Sequence, residues 1–382
     1  MEKKILAEGI EKLSDFVKTI CAQGIRTKPD YAAFAKENKE KMADWFAYAQ
    51  EKGMPPINNL VSLAFHPSEP LVLLNYTPLA HNTLFAHKSG WTVPLRLCRG
   101  IVFDFEGNLV AKGFPKFFNY REHAETSLLP DGEFEATVKM DGHLGIIFAY
   151  AGKLFVTTRG SFVSSTSKVA ARMLADYSKK NNWQKNYPQD LTTLVEIIHP
   201  ATRVLTEYGE RKEFVIIGAF DRVTLEDYRY AGLAALGQKL GLPVTEMVTG
   251  RSLPEIVASM KDRAIKNQEG YVVTFPGGLR VKLKFETYIA KMIESKISYA
   301  YLMKKFVSGR LKETVELLDE EILETAKLML GDILIQASVG NSPKDRWRSL
   351  YALVLEEDAT ASFRETCRKF VKALTAQAAK EV

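Results

Sequence analysis

Between Leu71 and Lys284 the chain passes through a succession of short segments rich in β-branched and aromatic residues. They are LVLLNY, GIVFDF, NLVAKGF, TVKM, LGIIFAY, KLFVTTRG, TLVEII, EFVIIGAF, GYVVTF and LRVKLKF, and Gly, Asp, Asn and Pro separate them. Runs of that length bounded by turn formers read as strands, so this part of the chain must build a β-rich core, with a few inserted helices such as SSTSKVAARMLADYSKKN. Helical spacing dominates on either side. Leu6, Ile10, Leu13, Val17 and Ile20 predict an amphipathic helix ending near Gly24, and a second helix is expected from Pro29 to Gly53, with Phe34, Trp45, Phe46 and Ala49 on its apolar face. After Tyr288 the strands stop. Val315, Leu318, Ile322, Ala326 and Met329 take three- and four-residue spacing, as do Phe363, Phe370 and Leu374 with their neighbours. The expected class is α+β, with N-terminal helices over 1–56, a β-rich core over 57–290 and an all-helical C-terminal domain over 291–382.

The 382 residues, 46% hydrophobic and 26% charged, are enough for two or three domains with a sizeable core. A formal net charge of +6 agrees with a polyanionic ligand without proving one. Cys21, Cys98 and Cys367 are scattered and odd in number, so neither a disulfide framework nor a structural zinc site is expected, and they read as reduced thiols. No apolar run approaches the ~18 residues of a membrane span, and the N-terminus lacks a long apolar leader. A cytoplasmic protein is expected, with no membrane association and no obligate protein partner evident.

Lys139 is the unexpected residue in this pattern. The stretch Val138 to Tyr150 reads as an apolar β-hairpin turning at Asp141 and Gly142, so Lys139 would sit at the lip of a strand just before the turn. Gly142 is expected to supply a positive φ there. A lone lysine at such a place commonly snorkels into water. Yet other polar residues also fall at strand ends: Arg99 in CRGIVFD, Lys116 in PKFFNY, Asp141 in KMDG, Arg159 in TTRG, Glu196 in VEIIHP, Glu269 in QEGYVV, and Lys282 with Lys284 in VKLKF. Residues i and i+2 of a strand share a face, where two like charges repel. Either an anion such as polyphosphate lies against Lys282 and Lys284, or they guard an exposed edge strand. GxxxxGK, HExxH and GxSxG motifs are absent.

The order of these elements resembles the covalent nucleotidyltransferase superfamily of ATP-dependent ligases and capping enzymes, and within it the phage-type ATP-dependent RNA ligase family. KMDG is similar to the nucleophile motif KxDG, VEIIHP to the third motif with its ribose-binding glutamate, EGYVV to the fourth and VKLK to the fifth. RGIVFD and PKFFNY are similar to the RG and KFFN elements of the RNA-ligase branch. The resemblance covers roughly Leu71 to Tyr288 and makes the β-rich core a nucleotidyltransferase domain.

The resemblance implies that Lys139 attacks the α-phosphate of ATP and carries AMP through a phosphoramidate bond. Lys282 would steady the α-phosphate and Lys284 would contact phosphates or assist pyrophosphate loss. Arg99, Lys116 and Arg159 would face the triphosphate or the RNA end, and Glu196 would accept from ribose hydroxyls. Glu269 would bind a divalent metal, with Mg²⁺ the expected cofactor. Asp141 stands open between a turn role and a catalytic one. Val138, Phe118 and Tyr288 fall at positions near the nucleotide, although aromatic residues in such runs are commonly core. Either Ile217 or Phe220 would lie against the adenine, while His199 reads as structural. The implied activity is ATP-dependent joining of 5′-phosphate and 3′-hydroxyl RNA ends in RNA repair, with a broken tRNA among the candidate substrates. A DNA ligase or capping-type nucleotidyltransferase is the alternative, but these carry an OB-fold after the fifth motif, where this chain reads helical. A non-catalytic nucleic-acid-binding relative is the third reading. In the helical tail Lys304, Lys305, Arg310 and Lys312, then Lys344, Arg346 and Arg348 around Trp347, and then Arg364, Arg368, Lys369 and Lys372 form three basic groups. At least one is expected to contact RNA phosphates, against the alternative of a solvated helix face.

Overall fold

A computed structural model of the protein describes residues 3–49, 51–86, 90–316, 318, 320–353 and 361–379. They form two units, Met1–Tyr288 and Ile289–Val382. The strands of the first unit are β1 (Val61–Phe65), β2 (Leu71–Tyr76), β3 (Arg99–Asp104), β4 (Leu109–Ala111), β5 (Phe118–Asn119), β6 (Glu135–Lys139), β7 (His143–Tyr150), β8 (Lys153–Thr158), β9 (Leu191–Ile198), β10 (Glu213–Asp221), β11 (Gly270–Thr274) and β12 (Arg280–Lys284). They make three four-stranded sheets with orders β1-β2-β3-β4, β10-β9-β7-β8 and β5-β12-β11-β6. β1, at the edge of the first sheet, precedes the run in which strands are legible from composition.

The expected hairpin at Asp141 and Gly142 does not form. β6 and β7 belong to different sheets, so the chain crosses between sheets directly after Lys139. The unbroken apolar run of β7 has a physical cause in this placement. Ile146 and Phe148 pack with Leu71, Leu73, Val102 and Leu194, while Ile147 and Ala149 on the opposite face join Val195, Ile197 and Trp183. A strand buried on both faces loses the polar half of its alternation. The second of these layers is closed by the helices Ser165–Asn181, capped by Ser164, and Tyr230–Leu240, and the Trp183 Nε1–H donates to the Leu240 carbonyl at 2.9 Å.

The helix Lys3–Ala22 buries Leu6, Leu13, Val17 and Ile20 as its spacing predicts, while Ile10 is only partly buried and the unpredicted Phe16 is fully enclosed, in one core with Val72, Leu74, Ile101 and Phe103. The second predicted helix is instead two, Lys28–Glu37 and Lys39–Phe46. Asn38 leaves helical geometry between them, and both its backbone N–H and its Nδ2 donate to the Phe34 carbonyl, ending the first piece. Ala49 lies beyond the second.

Among its described residues the second unit has helices joined by turns and no strand: most of Glu286–Lys296, then Tyr299–Val307, Leu311–Glu316, Glu320–Ser338, Pro343–Ser349, the short Leu350–Leu353 and Ala361–Ala378, around Leu302, Met303, Ile333, Leu350 and Phe370. The single periodic run from Val315 to Met329 is thus divided between two helices. The α+β class, with a β-rich core, N-terminal helices and an all-helical C-terminal part, is the observed one. Among the described residues no helix is long and apolar enough to cross a membrane, and all three cysteines are buried free thiols.

One buried charge cluster ties the first sheet to β12. Lys112, directly after β4, is enclosed with its Nζ 3.5 Å from Asp227 Oδ1 and 3.9 Å from the centre of the Phe220 ring. Arg280, the first residue of β12, donates from Nη1 to Asp227 Oδ2 at 3.0 Å. Burial alone would push the Asp227 carboxyl up, but Lys112 and Arg280 outweigh it and hold it at about 2. Removing the carboxylate strands an enclosed ammonium, so Asp227→Asn is expected to cost about 3 kcal/mol at neutral pH, the low end for breaking a buried pair. Because the folded-state value is depressed, this contribution is complete above the unfolded-state value of about 4 and is lost as pH falls toward 2. Urea unfolding of both proteins at pH 7 and pH 3 checks this, the difference being expected to shrink at pH 3.

Candidate active site

β11 pairs antiparallel with β6 on one side and β12 on the other, and in both registers Gly270 stands opposite a lysine, Lys139 and Lys284 respectively. The three residues form one row across the sheet, so the two lysines share a face with only a glycine between them. Glu269, the residue before β11, is buried and fills that gap. Its Oε2 lies 2.6 Å from Lys139 Nζ and its Oε1 lies 3.0 Å from Lys284 Nζ. Gly270 has φ +153°, and a Cβ there would run into the Leu283 carbonyl, so no side chain fits between the lysines. Lys282, two residues before Lys284, is half-buried on the same face, with its Nζ 5.0 Å from the Phe117 ring centre. β12 lies inside its sheet, between β5 and β11, which removes the edge-strand reading of its lysines.

The crossing after Lys139 is pinned from several directions. The Asp141 carboxylate is buried and accepts from Tyr288 Oη at 2.7 Å and from the backbone N–H groups of Leu205 and Thr206 at 2.9 and 2.6 Å. Its own N–H donates to Tyr208 Oη at 2.9 Å, and burial pushes the Tyr208 hydroxyl up to about 12. The Gly142 N–H donates to Glu196 Oε1 at 3.0 Å. Gly142 is not required for a positive φ, as its backbone has none. It is required for space, because a Cβ would stand 2.6 Å from the Ile197 carbonyl oxygen and 3.1 Å from Glu196 Cγ.

Glu196 reaches this turn from β9. Burial pushes its carboxyl up to about 7; Lys139 pulls it down and Glu269 pushes it further up. The site thus concentrates three carboxylates and two ammonium groups around the end of β6, with Lys282 beside them.

The remaining predicted residues separate into two groups. Arg99 and Lys282 both face Phe117, at 5.7 and 5.0 Å from its centre, and the Arg159 guanidinium lies 5.2 Å from the Tyr76 ring centre, with Nη1 donating to its hydroxyl at 3.5 Å. Lys116, expected to face phosphates, is buried with its Nζ 4.9 to 5.5 Å from the centres of Phe118, Trp91 and Tyr76. Phe118 itself is fully buried, stacked on His123 at 4.2 Å, and packs in the core with Trp91. Of the two candidates in β10, Phe220 is fully buried beneath Lys112, whereas Ile217 is half-buried within the register shift between Ile216 and Gly218. Val138 is half-buried beside Lys139, its carbonyl accepting from Thr245 Oγ1 at 2.6 Å. His199 accepts the Ala201 N–H on Nδ1 at 3.0 Å, capping the short turn that follows. Sequence reasoning missed Tyr208, Phe117 and Tyr76. The last two stood inside quoted motif runs, while Tyr208 lies in a loop without a local signal.

A family model described as RNA ligase matches residues 97–290, just over half of the chain. The chain belongs to the RNA ligase family. This family member is similar in structure to a Naegleria gruberi RNA ligase with PPi, at 16% identity over 42% of this chain and 52% of that one, with a TM-score of 0.36. It is also similar to a variant of the Naegleria gruberi ligase with ATP and Mn, at 16% identity over 42% and 51% and a TM-score of 0.35. An archaeal ATP-dependent RNA ligase aligns at 16% identity over 84% of this chain and 85% of that one, with a TM-score of 0.44. The chain spans about half the length of the Naegleria gruberi structures it matches. No curated protein sequence matches it.

For the divalent ion that the family implies, the residues present offer limited ligation. Among the described residues no cluster of three or more His, Cys, Asp or Glu side chains is placed to hold a metal. Glu269 supplies one carboxylate whose oxygens already face two ammonium groups. That donor set fits an ion carried mainly by phosphate oxygens and water, with one carboxylate at its edge, and not a cage built by the protein.

The raised Glu196 carboxyl gives a testable pH dependence. A carboxyl whose folded-state value is raised supports the fold fully below its unfolded value near 4.5 and withdraws that support as pH rises through about 7. Glu196→Gln removes the titration, so the variant's stability relative to the parent is expected to rise by about 1–3 kcal/mol between pH 5 and pH 8. Urea unfolding at the two pH values measures it, and a constant difference would show that Glu196 titrates normally.

Proposed function

We propose that this chain is an ATP-dependent RNA ligase working through a lysyl-AMP intermediate. The observation that carries the reading is the row Lys139–Gly270–Lys284 with Glu269 between the lysines, because it gathers a nucleophile, an acceptor for its proton and phosphate-binding cations on one face. Membership of the RNA ligase family supports the choice of substrate.

In the first step the Lys139 amine attacks the α-phosphorus of ATP. The N–P bond forms as the bond to the β-phosphate oxygen breaks, releasing pyrophosphate. Attack requires the unprotonated amine, and Glu269 Oε2 is the acceptor at 2.6 Å. Lys284 and Lys282 neutralise charge that develops on the phosphates, and Glu196 accepts from the ribose hydroxyls. A divalent ion, when bound beside Glu269, supplies further neutralisation of the phosphate oxygens. In the second step a 5′-phosphate oxygen of RNA attacks the lysyl-AMP phosphorus, freeing the amine and leaving AMP joined to the RNA end. In the third, a 3′-hydroxyl attacks the 5′-phosphorus, a phosphodiester forms, AMP leaves, and the hydroxyl proton passes to solvent. Repair of broken RNA, tRNA included, in the cytoplasm is the setting this chemistry implies.

Asp141 serves this reading by position. Held by Tyr288, Leu205 and Thr206, it fixes the crossing that begins at Lys139, and Tyr288 also presents its ring 5.6 Å from Lys284 Nζ. Ile217, and not the enclosed Phe220, is the β10 side chain available to an adenine face.

Incubation with α-labelled ATP tests the proposal. The parent protein is expected to retain covalent label, whereas Lys139→Ala and Lys139→Arg retain none, the guanidinium being protonated at neutral pH. Alanine at Lys282 or Lys284 is expected to depress labelling by about tenfold or more; the melting temperature should change little for Lys282→Ala and fall for Lys284→Ala, which takes one of two partners from the buried Glu269 carboxylate. Label on either Lys139 variant would sink the nucleophile assignment, and label from α-labelled GTP but not ATP would favour a capping-type enzyme. Sealing of pre-adenylylated RNA by the lysine variants then separates ATP chemistry from the last step.

A further inference from the structure

All but the first two residues of the helical unit lie outside the stretch matched by the family model, and two of its three basic groups converge there. The helices Pro343–Ser349 and Ala361–Ala378 carry Lys344, Arg346, Arg348, Arg364, Arg368, Lys369 and Lys372 against two acidic residues, Asp345 and Glu365. Both acids are already engaged: Asp345 caps its own helix through Ser342, and Glu365 pairs with Lys369 at 2.7 Å.

What organises the arginines is aromatic. Arg348 and Arg368 come from different helices and place their guanidinium carbons 5.6 and 4.8 Å from the centre of the same ring, Trp347. Trp347 meets Tyr351 at 5.4 Å, and Arg364 lies 5.5 Å from the Tyr351 ring centre. The three arginines are exposed and the two rings half-buried. Among the described residues none of these guanidiniums closes an ion pair with a carboxylate, although Arg348 and Arg368 act at longer range on Asp345 and Glu365. A charged group held over an aromatic face keeps its N–H donors unspent and its rotamers restricted. On an ordinary solvated helix face such arginines would close ion pairs with acids three or four residues away, as Lys369 does with Glu365.

We infer that Arg348, Arg364 and Arg368, mounted on the Trp347–Tyr351 pair, form a docking surface for the sugar-phosphate backbone of the RNA substrate. Guanidiniums in this arrangement match phosphate oxygens by paired N–H donation, and the half-exposed Trp347 and Tyr351 rings leave aromatic surface within reach of an unpaired base. A partner rich in carboxylates would use the charges but leave the aromatic pair without a purpose. The inference rests on the ligase reading for the identity of the polyanion; it adds the place where substrate is held and makes the helical unit a source of affinity and substrate choice.

The test uses the full chain and a fluorescent RNA hairpin with a nicked loop. Fluorescence anisotropy is recorded between 50 and 200 mM salt for the parent, for the triple variant Arg348→Ala, Arg364→Ala, Arg368→Ala, and for the matching triple lysine variant. Each phosphate contact contributes roughly 0.7 to 0.9 to the salt slope, so the alanine variant is expected to lose about two to three units of slope and at least tenfold in affinity at the lower salt. The lysine variant keeps most of the slope. All three arginines are exposed, so the melting curve should not move. Labelling with α-labelled ATP is followed in parallel and should be the same in all three proteins. Unchanged affinity and slope in an alanine variant that still labels would overturn the docking surface while leaving the ligase reading in place. A parent that neither labels nor binds RNA would overturn both. Binding of polyglutamate with the same arginine dependence and equal affinity would assign the surface to an acidic protein and overturn the RNA inference.

Discussion

Two ammonium groups share one buried carboxylate in the first unit of this protein. Lys139 and Lys284 sit on strands that never touch, separated by β11, and Glu269 holds both at hydrogen-bonding distance. Like charges on one sheet face would otherwise repel, and the glycine between them lets the carboxylate bridge the gap. Much of the first unit can be read as support for that arrangement. β11 and β12 set the register, Asp227 fixes Arg280 at the head of β12, and Asp141 with its three donors fixes the chain just past Lys139. A positional error in any of these would be felt at the amine.

The lysines, the glutamates and Asp141 were legible because strand periodicity and short motifs are local properties of a sequence. Their mutual placement was not. The KMDG turn looked like a hairpin because Val138 to Tyr150 contains two strand-like runs and a turn signal, and nothing within those residues reveals that β6 pairs with β11 and that β7, besides its neighbour β8, pairs with β9, both far along the chain. The same limit explains Gly142. Its position in a turn suggested backbone freedom, whereas the real demand comes from the Ile197 carbonyl on another strand. Asn38, by contrast, ends a helix through its own side chain, a local event, and the periodic apolar spacing on both sides concealed it.

Aromatic rings recur beneath the cations of both units. Phe117 faces Arg99 and Lys282, Tyr76 faces Arg159 and Lys116, and Trp347 faces Arg348 and Arg368. A ring beside a cation restricts its rotamers without cancelling its charge, whatever other partners that cation has.

The separation of Lys139 from its partners along the chain also has a consequence for the order of synthesis. A ribosome-bound chain extended to residue 268 already contains Lys139 and the Glu196 strand, but neither Glu269 nor Lys284. Such a chain cannot complete the charge row, since β11 and β12 have yet to emerge and domains fold as units while translation proceeds at several residues per second. Lys139 therefore gains its Glu269 contact only when the last two strands of the unit are in place, and the charge row cannot assemble on a half-made protein.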